Sequence, residues 1–332
     1  MTKTVRTARR AAAVLVALCG LGIAAVPQMA SAQAESWPNR PIRLMNGFLP
    51  GGSSDIVARL MAQHLSERLG QTVVVETRAG AGGSIATDYV VKQPGDGYTW
   101  GLLVSGHATQ AVMMRKLPYD PVGDLAMISS ITTYPMMVAT RPDASYKTLG
   151  DVIARAKAEP GKVSYSSAGV GTGHHLLGEW INAEGGVDIV HVPFKGGTSV
   201  LTDVMTGRID IMIETMTLAL PYVKSGKLRA LAVTSPQPLD YLPGVPLATQ
   251  TLPGVIYESW LGIFTSPGTP PAIIHRINTE MRTVLQRADV KQRLAELGGQ
   301  AMPSTPEELR ARVVGDITKW KRIVETRNIE RQ

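Results

Sequence analysis

Asn46-Gly-Phe-Leu-Pro-Gly-Gly-Ser-Ser-Asp55 is a glycine-rich turn that ends in two hydroxyls and a carboxylate and runs directly into the amphipathic stretch 56–69. A helix start leaves backbone N–H groups unpaired and carries the positive end of the dipole. Glycines let a ligand approach that backbone closely. The chemistry on offer is capture of a small anion, and a carboxylate suffices; simple capping by Ser54 or Asp55 is the alternative. Ser166-Ser-Ala-Gly-Val-Gly-Thr-Gly-His-His175 repeats the logic, again between an extended segment and a helical one. There Ser167 and Thr172 supply side-chain hydrogen bonds, and Gly169 to Gly173 supply backbone N–H groups. Two such loops facing each other across a cleft would form an anion cradle, whereas one alone is an ordinary βα connection.

Other groups have chemistry but no defining pattern. His175 and Glu179 lie one helical turn apart and His191 lies on the next strand, without an HExxH or a cysteine pair. Zinc is therefore the weaker reading, and His175 reads as a hydrogen-bonder that fixes its loop, with His174 either exposed or at the cleft. His107 follows an apolar strand and either lines the cleft or is a solvated loop histidine. In His191-Val-Pro-Phe-Lys-Gly-Gly-Thr198, Lys195 either neutralises a ligand carboxylate or is solvated at a loop tip. Glu214 ends an apolar strand, where cleft residues of such sheets sit; it would repel a dianion and suit an amino or hydroxyl group, and capping or a surface position is its other reading. No nucleophile elbow, Walker lysine or paired carboxylates appear, and Gly80-Ala-Gly-Gly-Ser-Ile85 lacks the third glycine of a dinucleotide fingerprint. No catalytic residue, cofactor or metal is expected.

The elements that must position these groups alternate β and α. Strands are expected at 42–48, 73–76, 98–104, 162–166, 187–192, 209–214 and 228–234. Helices are expected at 56–69, 84–92, 149–158, around 175–183, 198–206 and 219–225, with a Met-rich helix after His107. Apolar runs of four to seven residues between helices suit parallel strands covered on both faces. Residues 235–254 hold five prolines and two glycines and read as a long ordered loop. From Ala272 onward the chain is helical, with Thr305-Pro-Glu-Glu308 as a capping box with proline at N1. Two extended segments, 134–141 and 260–266, bracket a complete α/β unit. The expectation is two α/β lobes joined by two crossing strands: 37–135 plus 250–332 as the first, 136–249 as the second, and the C-terminal helices returning to the first.

The ends and composition bound the setting. Lys3, Arg6, Arg9 and Arg10, the apolar run Ala11 to Val26 and Ala30-Ser-Ala32 describe a secretory signal peptide over 1–32, cleaved near Ala32. The apolar run is short for a membrane span, and Leu18 disfavours a lipid anchor on Cys19. Removing those four cations lowers the net charge from +7 to +3, and no basic cluster with interleaved aromatics suggests nucleic acid. Cys19 is the sole cysteine, so the mature chain has no disulfide and no thiol nucleophile. The expected product is an exported, periplasmic monomer.

Taken in order, these motifs resemble the Bug (TctC-like) substrate-binding receptors of tripartite tricarboxylate transporters, over residues 37–330. The resemblance rests on Trp37-Pro-x-Arg-Pro-Ile42, Pro50-Gly-Gly-x-x-Asp55, Gly80-Ala-Gly-Gly83, Asp96-Gly-Tyr-Thr99 and Ser167-x-Gly-x-Gly-Thr-x-x-His-Leu176. It continues through Val192-Pro-Phe-Lys-Gly196, Gly226-Lys-Leu-Arg-Ala-Leu-Ala-Val-Thr234, Leu242-Pro-Gly-Val-Pro246 and Pro267-Gly-Thr-Pro270. It implies a type II periplasmic-binding-protein fold and capture of a small carboxylate by loops gripping it from both lobes, for membrane subunits or a sensor. The residues carried over are Phe48, Gly51, Gly52 and Ser53, with Ser167, Gly171, Thr172 and His175; a second anchor at Ser105, His107, Lys195, Thr198 and Glu214 would select the ligand. Asn46-Gly-Phe-Leu49 departs from the family's usual proline or valine before the aromatic residue, and Thr249-Gln-Thr251 from its Thr-x-Glu. An exported enzyme on the same scaffold is the alternative.

Overall fold

The computed structural model describes residues 37–332, and the signal peptide expected at 1–32 lies outside them. Strand β1 (Ile42–Asn46) leads into α1 (Ser53–Leu69), which Gly70 ends in the left-handed conformation. Then come β2 (Val73–Thr77), a single 3₁₀ turn (Ala81–Gly83), α2 (Ser84–Val91), β3 (Thr99–Val104) and α3 (Gly106–Met113). The long strand β4 (Ala126–Thr140) opens the second half. It is followed by α4 (Leu149–Ala158), β5 (Ser164–Ser167), α5 (Gly173–Gly185), β6 (Val190–Pro193), α6 (Ser199–Met205), β7 (Ile211–Thr215), α7 (Met216–Lys224) and β8 (Arg229–Val233). The return consists of β9 (Glu258–Thr265), α8 (Pro271–Gln286), α9 (Ala288–Glu296), β10 (Gln300–Ala301) and α10 (Pro306–Thr326).

The strand order β2-β1-β3-β9-β4-β7-β5-β6 explains how one chain builds two α/β layers. The crossover strands pair in parallel, β1 with β2 and β3, and β5 with β6 and β7, as the βαβ pattern predicts. The two central strands do not follow that expectation. β9 is antiparallel to β3 and β4, because it arrives from the proline-rich segment rather than through a crossover helix. β4 begins at Ala126, eight residues before the expected Tyr134, since polar Ser129, Ser130 and Thr132 are buried along it and mask its apolar pattern. Its first half pairs with β9; its second half, Met136 to Thr140, takes β7 on one edge and β8 on the other. β4 is thus the continuous strand shared by the two sheets. Tyr257, just before β9, joins the other sheet by donating its N–H to Thr234 O at 3.1 Å.

The C-terminal region is not purely helical: β10 pairs with β4. α10 begins with the expected capping box, Thr305 accepting from Glu308 N and Glu308 from Thr305 N. Its first turns bury Leu309 and Val313 beside Met45, Leu103 and Trp260. Its last turns bury Trp320 and Val324 beside Tyr165, Leu176 and Trp180. Trp320 stacks on Tyr257 at 4.7 Å and meets Trp180 edge-on at 6.2 Å. Aromatic contacts of this kind are worth about 0.5–1.5 kcal/mol beyond the area they bury. One helix therefore packs into both cores, more than a return to the first alone.

Candidate functional site

Helices α1, α3, α5 and α7 start at one place. Gly52, Ser53 and Ser54 from α1, Ser105 and Gly106 from α3, Thr172, Gly173 and His174 from α5, and Thr215 from α7 line a cavity holding about 540 Å³ of atom-free space. Each follows a strand, β1, β3, β5 or β7, so the sheet order brings their N-terminal ends together. Every helix start contributes unpaired N–H groups and positive potential. Two were expected to meet here; four do. Phe48, Tyr134, Met136, Leu218 and Leu261 supply apolar walls. No lysine or arginine is among the lining residues. The site is thus built to hold an anion mainly through backbone dipoles.

The first loop is shaped by its own side chains. Asn46, fully buried, donates its amide to Phe48 O at 3.1 Å and accepts from Phe48 N, aiming the ring at the cavity. Asp55 accepts from Gly51 N at 3.0 Å and pairs with Arg59, so its carboxylate closes the turn. Gly52 at the N-cap has no side chain to close the first turn of α1, which leaves that end open to a ligand.

The second loop is closed on itself. Thr172 Oγ1 donates to Gly169 O at 2.6 Å and accepts from His175 N. Ser167 Oγ meets His191 Nε2 at 2.6 Å and accepts from Gly169 N. His175 Nδ1 accepts from Gly171 N at 3.1 Å, which requires an unprotonated Nδ1. Its ring stacks on His191 at 4.1 Å. Burial pushes both imidazoles down to about 4, and for His175 the neighbouring His191 adds to the shift. The pair is therefore neutral near pH 7.

The two sides touch. Leu49 N donates to Lys195 O at 3.2 Å, and Ser53 Oγ meets Thr215 Oγ1 in a short hydroxyl contact. Gly197 has φ +77, and a Cβ there would come within 3.0 Å of Leu49 Cβ. Only glycine accepts both that backbone and that approach.

Glu214 is the ionised wall of the cavity. It is 7% exposed and sits at the end of β7. Burial alone would raise its carboxyl, but the nearby His174 and hydrogen bonds from His174 and Thr215 outweigh it and hold the group below the ordinary value. His174 Nε2 lies 3.1 Å from Glu214 Oε1, and Thr215 donates its N–H to the same oxygen at 2.7 Å.

Of the residues singled out in the sequence, Phe48, Gly52, Ser53, Ser105, Thr172 and Glu214 line this cavity. Gly51, Ser167, Gly171 and His175 stand behind the lining and shape the loops. His107 faces a separate hollow beyond Phe48, where its Nε2 meets Pro121 O at 2.7 Å and burial lowers its pKa. Lys195 and Thr198 are exposed at the rim. Sequence reasoning missed Tyr134, Met136, Thr215 and Ser259 as lining residues and left His174 open. The only available signal was that Tyr134 and Met136 lie within an apolar extended run and that Thr215 and Ser259 flank one. Among the described residues no three His, Cys, Asp or Glu side chains converge as metal ligands.

A mixed α/β chain with this cavity between its sheets has the two-lobed fold of periplasmic binding proteins. The comparisons specify the family. The model of the tripartite tricarboxylate transporter family receptors matches residues 57–329, and the chain belongs to that family. BugT of Bordetella pertussis is 35% identical over 314 residues, covering 93% of this chain and 96% of BugT. A Rhodopseudomonas palustris protein solved with adipate superposes with a TM-score of 0.85 at 31% identity, covering 89% of this chain and 99% of that one. MatC from the same organism, solved with bound malate, gives 0.83 at 28% identity over 87% of this chain and all of that one. The family is one of binding receptors, as the motifs predicted.

Proposed function

We propose that this chain is a periplasmic receptor that captures a small carboxylate between two lobes and presents it to the integral membrane subunits of a tripartite tricarboxylate-type transporter. The observation that carries the reading is the convergence of four helix N-termini on a cavity without lysine or arginine. Backbone N–H groups and dipoles can hold one carboxylate there without a fixed cation. The adipate and malate in its structural relatives support the ligand class. The lobes are assigned as residues 37–135 plus 250–332 and residues 136–249, with β4 the continuous connection between them. The contacts from Leu49 to Lys195 and from Ser53 to Thr215 belong to a closed state, and opening about the shared strand would admit ligand. The leader directs export and is cleaved near Ala32, and the receptor acts as a monomer.

The experiment is a thermal-shift screen of the purified chain against small carboxylates, neutral sugars and amides. A ligand at 100 times its Kd stabilises the fold by about 2.7 kcal/mol, enough to read directly. Carboxylates alone should raise Tm and be recovered unchanged. A neutral solute that stabilises the chain while no carboxylate does would overturn the reading. Conversion of the bound acid would favour an enzyme.

A further inference from the structure

The carboxylate class can be narrowed by the unspent hydrogen-bonding capacity of Glu214, an argument that rests on the receptor reading above. Every hydrogen bond to this carboxylate converges on one oxygen: Thr215 N at 2.7 Å, Thr215 Oγ1 at 2.9 Å and His174 Nε2 at 3.1 Å all meet Oε1. Oε2 has no partner among the described residues, in a side chain that lines the cavity and is nine-tenths buried. A ligand that fills this largely apolar cavity would strip water from that oxygen and must itself supply a donor, or leave an anionic oxygen unpaired. We propose that the ligand is an amino carboxylate, its carboxylate held at the helix N-termini and its protonated nitrogen paired with Glu214 Oε2.

Three features favour a cation over a second anion or a neutral donor. A dicarboxylate would place two negative charges beside Glu214 in a cavity whose walls carry no lysine or arginine, with His174 the one lining imidazole. A hydroxyl could donate to Oε2 but would leave the Glu214 charge without a counter-charge from the ligand. Phe48 and Tyr134 line the cavity, and aromatic rings suit a cationic nitrogen better than a carboxylate.

The test uses matched ligands that differ only in the group offered to Glu214. Calorimetric titrations would compare 4-aminobutyrate, 4-hydroxybutyrate and succinate, and separately norvaline, 2-hydroxypentanoate and propylmalonate, so that terminal and α nitrogens are both represented. In at least one series the amino member should bind about tenfold or more tighter than both partners. Glu214→Gln should weaken that amino member at least about tenfold and erase its advantage over the dicarboxylate. The ligand comparison in the unaltered chain remains decisive if this variant fails to fold. The absence of an amino preference in both series, or an amino preference untouched in a folded Glu214→Gln chain, overturns the assignment while the receptor reading stands. If the broad carboxylate screen yields no ligand at all, the receptor reading itself falls, and this inference with it.

Discussion

The two glycine loops look alike in sequence and behave differently in the fold. Both follow a strand, both open a helix, and both bring a helix start to the cavity. The first ends at Gly52, whose lack of a side chain leaves the start of α1 uncapped, while Asp55 closes the turn from behind. In the second, Thr172 caps α5, and the Gly169 and Gly171 amides are taken by Ser167 and His175. One loop leaves its helix end for a ligand; the other uses much of its polar capacity on its own shape and presents His174 instead. A glycine pattern reports that a backbone can be approached. It does not report whether the amides are still free.

Acid should break this comparison most strongly. Neutral His175 holds Gly171 N, and protonation at Nδ1 would remove that acceptor. The folded imidazole titrates near 4 against an ordinary 6.5, a gap worth roughly 3 kcal/mol. Above pH 6.5 the ring is neutral folded or unfolded, so its contribution is constant. Between 6.5 and about 4 the unfolded chain takes up protons that the fold refuses, so stability falls as pH falls, then levels off below 4. Glu179, 3.9 Å from His175 Nε2, is itself pushed up by burial and so compensates less as the medium acidifies. His191, lowered by burial in the same way, adds to the loss. Urea denaturation at pH 7 and pH 4.5 should show the drop, and His175→Gln should flatten it. An equal slope in that variant would remove His175 as a cause.

A side chain at the first loop should act on binding instead. A Cβ at Gly52 would lie 3.0 Å from Gly197 N and 3.2 Å from its Cα, across the closed contact, while the backbone at Gly52 is extended and allows other residues. Gly52→Val should hold the loops apart and weaken the best carboxylate about 100-fold, roughly 2.7 kcal/mol, with a small change in unliganded Tm. Titration of both proteins decides it: unchanged affinity would mean that the approach of Gly52 to Gly197 does not matter for capture.

Much of the fold could be read because its helices and crossover strands obey local rules. The capping box at Thr305, the run 149–158 and the alternation of crossover strands with helices need only neighbouring residues to be recognised. The missed parts depend on distant partners. β10 is two residues long and exists because Gln300 and Ala301 reach Thr133 and Thr132. The buried serines and threonines of β4 read as loop until the strands that cover them are known. At the site, the resemblance located the loops, but which side of each loop a residue faces follows from hydrogen bonds set only in three dimensions. Ser167 turns to His191, and His107 turns to Pro121, for that reason.

The smallest expected effect is also the most direct test of whether the second loop is scaffold or binder. The Thr172 hydroxyl lines the cavity and was expected to donate to a ligand, yet its hydrogen goes to Gly169 O and its lone pair to His175 N. Removing an N-cap of this kind costs about 1 kcal/mol, so Thr172→Ala should lower Tm by about 2 °C in a protein of this size. Because the hydroxyl is already committed, affinity for the carboxylate should change by less than about threefold, well below what a lost direct hydrogen bond would cost. Thr172→Ser keeps the oxygen and should restore Tm. A tenfold loss of affinity in the alanine variant, with Tm unmoved, would make Thr172 a ligand contact and return the second loop to the role its glycines suggest.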